Sequence, residues 1–461
     1  MITRRDFIKV GAAILTGSQA AESAAHDEEP VYRESPATPQ EERSDSEWTA
    51  RWIGSSADGF ESNHFVYFRR TFNLHAVPVE EVYVKVSART EYILHVNGHK
   101  IGFGPPIADS RRYYFDLRNI QPFLRKGPNV IAARVYSLAT ATEDTQKVPG
   151  GFILQGRIGE VNLDSDNTWK FLVPEVWKQK APRQSFQLHY VEIADFRKEP
   201  AGWNGLGFDD SDWQTALEMS EPVDSREHLI RREMGEIREV FMPVASVTRS
   251  AEVERNSAFE IPASQVNAEK FLPIQTVRFK NLASLTTKIP AARIETPASG
   301  RDAALVFDMG KMVLGCPFFE AEGSAGTVVD VSISEYLQDG RVLASRAITP
   351  TQRTNLTDRI TLRQGKTVWQ RNDYNGYRYL QLTIRNATKP VVLHQVGTMM
   401  RNYDFQHEAM FRSSNPVLDR IFNGSKRSHR VNTHWGYCGS LARACAMVGP
   451  AVAGHESDGV P

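Results

Sequence analysis

Tyr92-Ile93-Leu94-His95-Val96-Asn97-Gly98-His99-Lys100-Ile101 is the stretch that sets the class of fold. Tyr92, Leu94 and Val96 fall on one side of an extended chain, the period-two pattern of a strand. Asn97-Gly98 is the residue pair that accepts the backbone twist of a tight hairpin, and the apolar pattern resumes at Ile101. Working outward, Val82-Tyr83-Val84-Lys85-Val86 alternates in the same way. Tyr114-Phe115-Asp116-Leu117 follows, then the turn-rich Phe123-Leu124-Arg125-Lys126-Gly127-Pro128-Asn129, then a strand over residues 130–136. Short strands divided by Gly, Pro and Asn turns predict an antiparallel sandwich.

A second β module is expected to start near Pro243. Leu305-Val306-Phe307-Asp308-Met309-Gly310 leads into it, and residues 328–334 make a strand ending in Glu335-Tyr336. Asp339-Gly340 is a turn, and Asp358-Arg359-Ile360-Thr361-Leu362 and residues 377–384 alternate again. A parallel sheet, or long helices before Phe411, would run against this reading. Two features invite chemistry. Gly207-Phe208-Asp209-Asp210-Ser211-Asp212-Trp213 offers three carboxylates to a calcium ion, but no further ligand spacing supports a metal, and an Asx turn between two aromatics is expected. Glu335 has no carboxylate partner in the sequence and reads as a structural residue at a strand end. Tyr92, Tyr113, Tyr114 and Trp203 are candidate platforms for sugar rings, although burial in the core is the commoner role of such residues.

Toward the C-terminus the pattern turns helical. Ser414 and Asn415 suit an N-cap, Pro416 the first turn, and Leu418, Ile421 and Phe422 form an apolar stripe. After His434-Trp435-Gly436-Tyr437, residues 438–461 are rich in Ala, Gly and Ser without periodicity. One helix cannot bury its own stripe in water. Residues beyond Tyr437 are expected to be irregular and to be trimmed first by protease. At the other end, Thr3-Arg4-Arg5-Asp6-Phe7-Ile8-Lys9, an apolar run to Leu15 and small residues at Ser18 and Ala20 make a twin-arginine signal, with Arg4 and Arg5 as its motif. The expected partner is the twin-arginine export machinery, and the expected location is periplasmic or secreted. The run is too short to anchor in a bilayer. Residues 26–46 are acidic and Pro-rich, as in a disordered linker.

Composition narrows the remaining choices. In 461 residues, 55 Lys and Arg balance 55 Asp and Glu, so no basic surface points to nucleic acid. Cys316, Cys438 and Cys445 are too few and too scattered for a disulfide framework or a metal site. No motif requires a cofactor.

The motifs carry a resemblance. Trp52-Ile53-Gly54, the pair Tyr67-Phe68 before Arg69, and Val96-Asn97-Gly98 resemble the N-terminal galactose-binding-like module of bacterial α-L-rhamnosidases. Phe307-Asp308-Met309-Gly310, Gly326-Thr327-Val328-Val329, Glu335-Tyr336 through Asp339-Gly340-Arg341, and Tyr374-Asn375-Gly376-Tyr377-Arg378-Tyr379 resemble the next β domain of that family. Ser414-Asn415-Pro416 with Leu418 and Ile421, then His434 to Tyr437, resemble the first helix of its (α/α)6 barrel. The order and spacing of these motifs, more than any one of them, carry the likeness from Trp48 to Tyr437.

The resemblance implies a mainly β chain. A signal peptide at 1–25 and the linker at 26–46 are followed by two antiparallel β-sandwich, jelly-roll-like modules at 47–225 and 243–400. Residues 401–437 form a helical stub of an incomplete (α/α)6 barrel, and 438–461 an aberrant tail. It also implies a rhamnose-containing glycan or glycoside as ligand and inverting hydrolysis by two carboxyls. In the family the barrel's first helix is followed by Asp-x-x-x-Arg-Glu-Arg, then Trp and Gly-Asp. That motif is absent here, so no catalytic residue is assigned.

The tail suggests a reason. Codons compatible with Ala442-Arg443-Ala444-Cys445-Ala446-Met447, read one position later, can spell Arg-Glu-Arg-Ala-Gln-Trp. The same offset turns residues 454–460 into Ala-Met-Lys-Ala-Met-Ala-Tyr. A shift near Ser440 would put Cys438 where the family's upstream Asp stands, and the Gly-Asp is not recovered. A natural low-complexity extension is the other reading. Three functions stay open: a truncated, inactive rhamnosidase-family protein; a stand-alone carbohydrate-binding protein; and an active enzyme whose end is a frameshift artefact.

Overall fold

The hairpin at Asn97-Gly98 is present. Strands Glu91–Val96 and His99–Gly104 pair antiparallel, and Asn97 (φ 52°) and Gly98 (φ 89°) take the left-handed conformations that a two-residue turn of this hand requires. The Asn97 side chain donates to Phe123 O and Asn129 Oδ1, each at 2.8 Å, and accepts from Val130 N at 2.9 Å. The turn is thereby tied to the strand that follows. A computed structural model describes residues 48–106, 113–142, 147–220, 229–232, 235, 237–255, 259–287, 291–295, 300–405 and 409–434, with two short pieces at Tyr437–Cys438 and Cys445–Ala446. The twin-arginine segment, the linker and most of residues 438–461 lie outside the described residues. The two short pieces pair antiparallel, a local order that the composition of the tail did not suggest.

Among the described residues the first module is two facing sheets. One runs in the order Leu217–Glu218, Ile53–Gly54, Phe152–Ile158, Tyr83–Ala88, Tyr113–Asn119, Leu229–Arg231. The other runs Gln214–Thr215, Lys170–Leu172, His64–Leu74, Gly127–Ser137, Glu91–Val96, His99–Gly104. Their inner faces meet through Val66, Phe68, Val84, Val86, Leu94, Ala133, Phe152 and Trp169. The outer faces are also covered. Trp48, Ala50, Trp52 and Leu229 lie over Phe115, Leu117 and Ile153 of the first sheet. Trp203 and Trp213 lie on Tyr67 and Ala132 of the second sheet, Trp177 and Tyr190 on Phe65 and Tyr136, and Ile237 and Tyr403 on Ile93 and Phe103.

The second module is built on one eleven-stranded sheet, whose path runs Ile193–Asp195, Thr357–Thr361, Val328–Ser334, Asn375–Arg385, Arg301–Gly323, Val391–Tyr403, Ala292–Glu295, Arg278–Lys280. The 23-residue strand Arg301–Gly323 spans it. Its first half pairs with Ser246–Glu254 and Asn375–Arg385, its second half with Gly365–Gln370 and Val391–Tyr403, and the register shifts between Asp308 and Val313. One hydrogen-bonded ladder thus serves both halves of the module, around Leu305, Phe307, Phe319, Trp369, Leu382 and Val396.

Among the described residues, ladders are antiparallel except for Ile193–Asp195 on Thr357–Thr361 and Leu229–Arg231 on Tyr113–Asn119. Before Phe411 the described α-helices are the short Pro262–Ala268 and Ser284–Thr287. Ile193–Asp195 lies inside the stretch expected to form the first module, yet it edges the second sheet, so the two modules interlock.

Helix Pro416–Asn432 starts as expected: the Asn415 side chain accepts from Val417 N at 2.9 Å, and Asp419 accepts from Ser413 N at 2.7 Å. Its apolar stripe faces outward. Leu418 is 46% and Ile421 59% exposed, and no described element packs over them.

Candidate functional site at the module junction

The aromatics singled out as sugar platforms are mostly sealed. Trp203 stacks on Tyr67 with ring centroids 4.1 Å apart. Tyr113 packs edge-on against Trp52. Tyr92 lies inside the sandwich, where its hydroxyl donates to the Asp116 carboxylate and accepts from Arg118 Nε. Tyr114 alone of the four is half-buried. For Tyr113 and Trp203 the cover over the outer sheet faces is the physical reason, which the period-two pattern could not reveal, whereas Tyr92 points into the core with Leu94 and Val96.

The turn at Gly207–Trp213 is an Asx turn. Asp209 Oδ1 accepts from Ser211 N at 3.0 Å, Phe208 meets Trp213 edge-on, and Asp210 is held by Arg69 (2.9 Å) and Lys170 (2.8 Å). Glu335 is half-buried at the end of Val328–Ser334.

Sequence reasoning missed the main concentration of polar chemistry. Arg371-Asn372-Asp373 leaves the strand Gly365–Gln370 and precedes Tyr374-Asn375-Gly376-Tyr377. Arg371 donates through Nε to Asp358 Oδ2 (3.0 Å) and through a terminal nitrogen to Tyr190 O (2.7 Å). Asn372 binds on four sides. Its backbone N–H donates to Glu192 (2.7 Å), its amide nitrogen donates to Glu91 (2.6 Å), its amide oxygen accepts from Arg134 (3.1 Å), and its carbonyl accepts from Arg401 (3.0 Å). Asp373 Oδ2 lies 3.2 Å from His189 Nδ1, close enough for an ion pair but without hydrogen-bond geometry. Glu91 and Arg134 belong to the first sandwich, the others to the second module or to the segment that interlocks with it.

Arg401, 2% exposed at its side chain, is the second hub. It binds Glu239 at 2.8 Å and Glu91 at 3.1 Å, and its guanidinium lies 4.2 Å from the centroid of the Phe103 ring. Glu239 also takes Lys100 and accepts from Gln370. The end of the helix joins here: buried His434 stacks on Tyr374 with centroids 3.8 Å apart.

Electrostatics follow burial. The Glu192 carboxyl is pushed up to about 7 by burial, with Arg371 opposing the rise and Asp358 adding to it. Burial likewise raises Asp358 and Glu91, against the pull of Arg371 and Arg401 respectively. Glu239 goes the other way: burial disfavours its charge, but Lys100 and Arg401 override this and hold it well below the usual carboxylate range. His434 is held well below its ordinary range by burial, aided by Arg401. Burial pushes the nearby Cys316 thiol up to about 12. These groups are committed to one another, so the junction is built to hold parts together.

The open space is elsewhere. A cavity of about 450 Å³ lies along the helix, with Phe405 and Phe422 as apolar walls and Lys426, His429 and Arg430 at its polar side. No group of His, Cys, Asp and Glu arranged to hold a metal occurs among the described residues.

Comparison with known proteins identifies what is joined. Residues 78–240 match the α-L-rhamnosidase N-terminal domain and residues 299–427 the bacterial α-L-rhamnosidase concanavalin-like domain. The α-L-rhamnosidase of Streptomyces avermitilis is 22% identical over 399 residues, covering 81% of this chain and 31% of the relative. The fold is similar to that of the GH78 family rhamnosidase of Bacillus sp. GL1 (TM-score 0.72, 17% identity, 86% of this chain and 59% of that one). It is also similar to the Streptomyces avermitilis α-L-rhamnosidase complexed with L-rhamnose (TM-score 0.58, 19% identity, 83% and 33%). The chain thus spans about a third of the Streptomyces relative's length. With both domains in sequence on this fold, the chain belongs to the bacterial α-L-rhamnosidase family.

Proposed function

We propose that this is an exported α-L-rhamnosidase-family protein serving glycans or glycosides that end in α-L-rhamnose. We propose further that the 461-residue polypeptide does not itself cleave them. The single observation behind the first half is the succession of two rhamnosidase domains on one interlocked β body. The rhamnose in the Streptomyces relative's structure supports the ligand class.

The second half rests on geometry. Inverting hydrolysis needs an acid and a base roughly 6.5–9.5 Å apart across an open sugar site. Among the described residues, the carboxyls of the junction that burial raises, Glu192, Asp358 and Glu91, are instead bound to arginines, amides and a tryptophan. Purified polypeptide is expected to release no rhamnose from an aryl α-L-rhamnoside above blank. Turnover that survives repurification would overturn the reading. The covered sheet faces weigh against sugar stacking on Tyr92, Tyr113 or Trp203 as an alternative function.

Export rests on Arg4-Arg5 and the apolar run behind them. Replacing both by Lys (Arg4→Lys, Arg5→Lys) should strand the protein in the cytoplasm on cell fractionation. Unchanged export of that variant would remove the twin-arginine route.

A further inference from the structure

The cavity of about 450 Å³ beside helix Pro416–Asn432 falls within the span of about 300–1,000 Å³ that holds small molecules, and the junction makes no use of it. Phe422, Lys426, His429 and Arg430 recur at three- and four-residue spacing, so one face of the helix supplies them. Phe405 and Ala409, from the chain that follows strand Val391–Tyr403, complete the lining. Both phenyl walls are held by other rings. Phe405 meets Tyr403 edge-on with centroids 5.0 Å apart and lies 5.6 Å from the His429 ring, and Phe422 lies 5.3 Å from Phe411. The Lys426 ammonium donates to Ala409 O at 3.2 Å, which ties the helix to the opposite wall. Among the described residues that line the space are two permanent cations, Lys426 and Arg430, and no acid. Asp419, the acid of the helix, is engaged near its start by Ser413 N (2.7 Å) and Ser413 Oγ (3.0 Å), and Asp404 lies 3.9 Å from Arg238. Cations in the last turn of a helix also suit its dipole. The dipole, however, asks for no phenyl walls around an open space.

We propose that this cavity binds a small amphipathic anion, an aromatic ring or short alkyl chain that carries one carboxylate, sulfate or sulfonate. The apolar body sits between Phe405 and Phe422, and the anionic group meets Lys426 and Arg430. The two phenyl walls select the body, because rings and alkyl chains lose water-exposed apolar surface there. Charge complementarity selects the head group. Hydrogen bonds from ammonium and guanidinium to such oxyanions are charge-assisted and about twice as strong as neutral ones. The site lies apart from the sealed junction, and it stands or falls independently of the rhamnoside reading.

Titration of the full chain with anilinonaphthalene sulfonate, an aryl sulfonate that fluoresces when its rings leave water, tests this. The expected result is a saturable rise at one probe per chain, displaced by decanoate or phenyl sulfate. The uncharged relative N-phenylnaphthylamine should bind about tenfold more weakly or worse, the effect of losing one charge-assisted hydrogen bond. Lys426→Gln combined with Arg430→Gln should weaken the sulfonate by about tenfold or more and leave the neutral probe unchanged. Phe422→Ala should weaken both probes. Ile421→Ser, on the open stripe and 59% exposed, should change neither. Far-ultraviolet circular dichroism checks that each variant is folded. Arg430 is exposed and Lys426 half-buried, so the charge variant carries the test should Phe422→Ala fail to fold. Equal affinity for the charged and neutral probes overturns the proposal. So does a sulfonate signal lost in Ile421→Ser and kept in Phe422→Ala, which would place the probe on the stripe. A signal that disappears as the chain dimerises with rising concentration overturns it in favour of a second copy.

Discussion

Arg401→Leu is expected to lower the unfolding free energy by about 3–5 kcal/mol, the range for removing one partner of a buried ion pair. The guanidinium is 2% exposed and answers Glu239 at 2.8 Å, Glu91 at 3.1 Å and the Asn372 carbonyl at 3.0 Å. Leu keeps part of the volume and the contact with Phe103 but leaves two carboxylates facing each other without the charge between them. Lys100 still serves Glu239, so Glu91 suffers more. Glu91 belongs to the hairpin strand of the first sandwich and Arg401 to a strand of the second module, so the loss falls on their docking. A urea titration followed by two probes tests this. Tryptophan fluorescence and far-ultraviolet circular dichroism should give one transition for the wild-type chain and separated transitions for the variant. Coincident curves with an unchanged midpoint would mean that the junction contributes little to cohesion.

Trp369→Ala should be about as damaging, at about 3–5 kcal/mol, by a different route. The indole is 1% exposed, its ring lies 5.6 Å from that of Phe319 in the core of the second module, and its Nε1 donates to Glu192. Truncation opens a cavity and removes a donor at once. Trp369→Phe separates the two effects, since most of the packing survives and only the donor is lost. Its expected cost is about 1–3 kcal/mol, that of leaving a buried acceptor unmet. Equal losses in the two variants, measured by chemical denaturation, would show that the hydrogen bond to Glu192 outweighs packing there.

Much of the fold could be read from local pattern, and particular residues show why. Asn97-Gly98 marked a hairpin because both positions need left-handed backbone, which Asn and Gly adopt at little steric expense. Asn415-Pro416 marked the helix start because the Asn side chain can accept a free backbone N–H and Pro has none to leave unpaired. Asp209 marked a turn for the same kind of reason, a side chain answering a backbone group two residues away. Each of these is decided within a few residues, so a linear pattern records it.

The junction left no such trace. Arg401 and Glu91 are 310 positions apart, and Asn372 and Glu91 are 281 apart. In the sequence Glu192, Arg371 and Arg401 look like ordinary charged residues, which are usually exposed. That they are buried follows from the cover over the outer sheet faces and from Ile193–Asp195 crossing to the second sheet. A strand's period fixes which side chains share a face but is silent on what lies over the other one. The sequence by itself therefore determined the leading hairpin, several strands and the start of the last helix, the antiparallel β class, the turn chemistry and, through ordered motifs, the family. Only the tertiary structure decided that the candidate sugar platforms are mostly interior, that the two modules interlock, and that ionisable groups hundreds of residues apart share one desolvated site. Burial and long-range charge depend on what the whole chain brings together, whereas hydrogen bonds to near neighbours and backbone stereochemistry are settled locally.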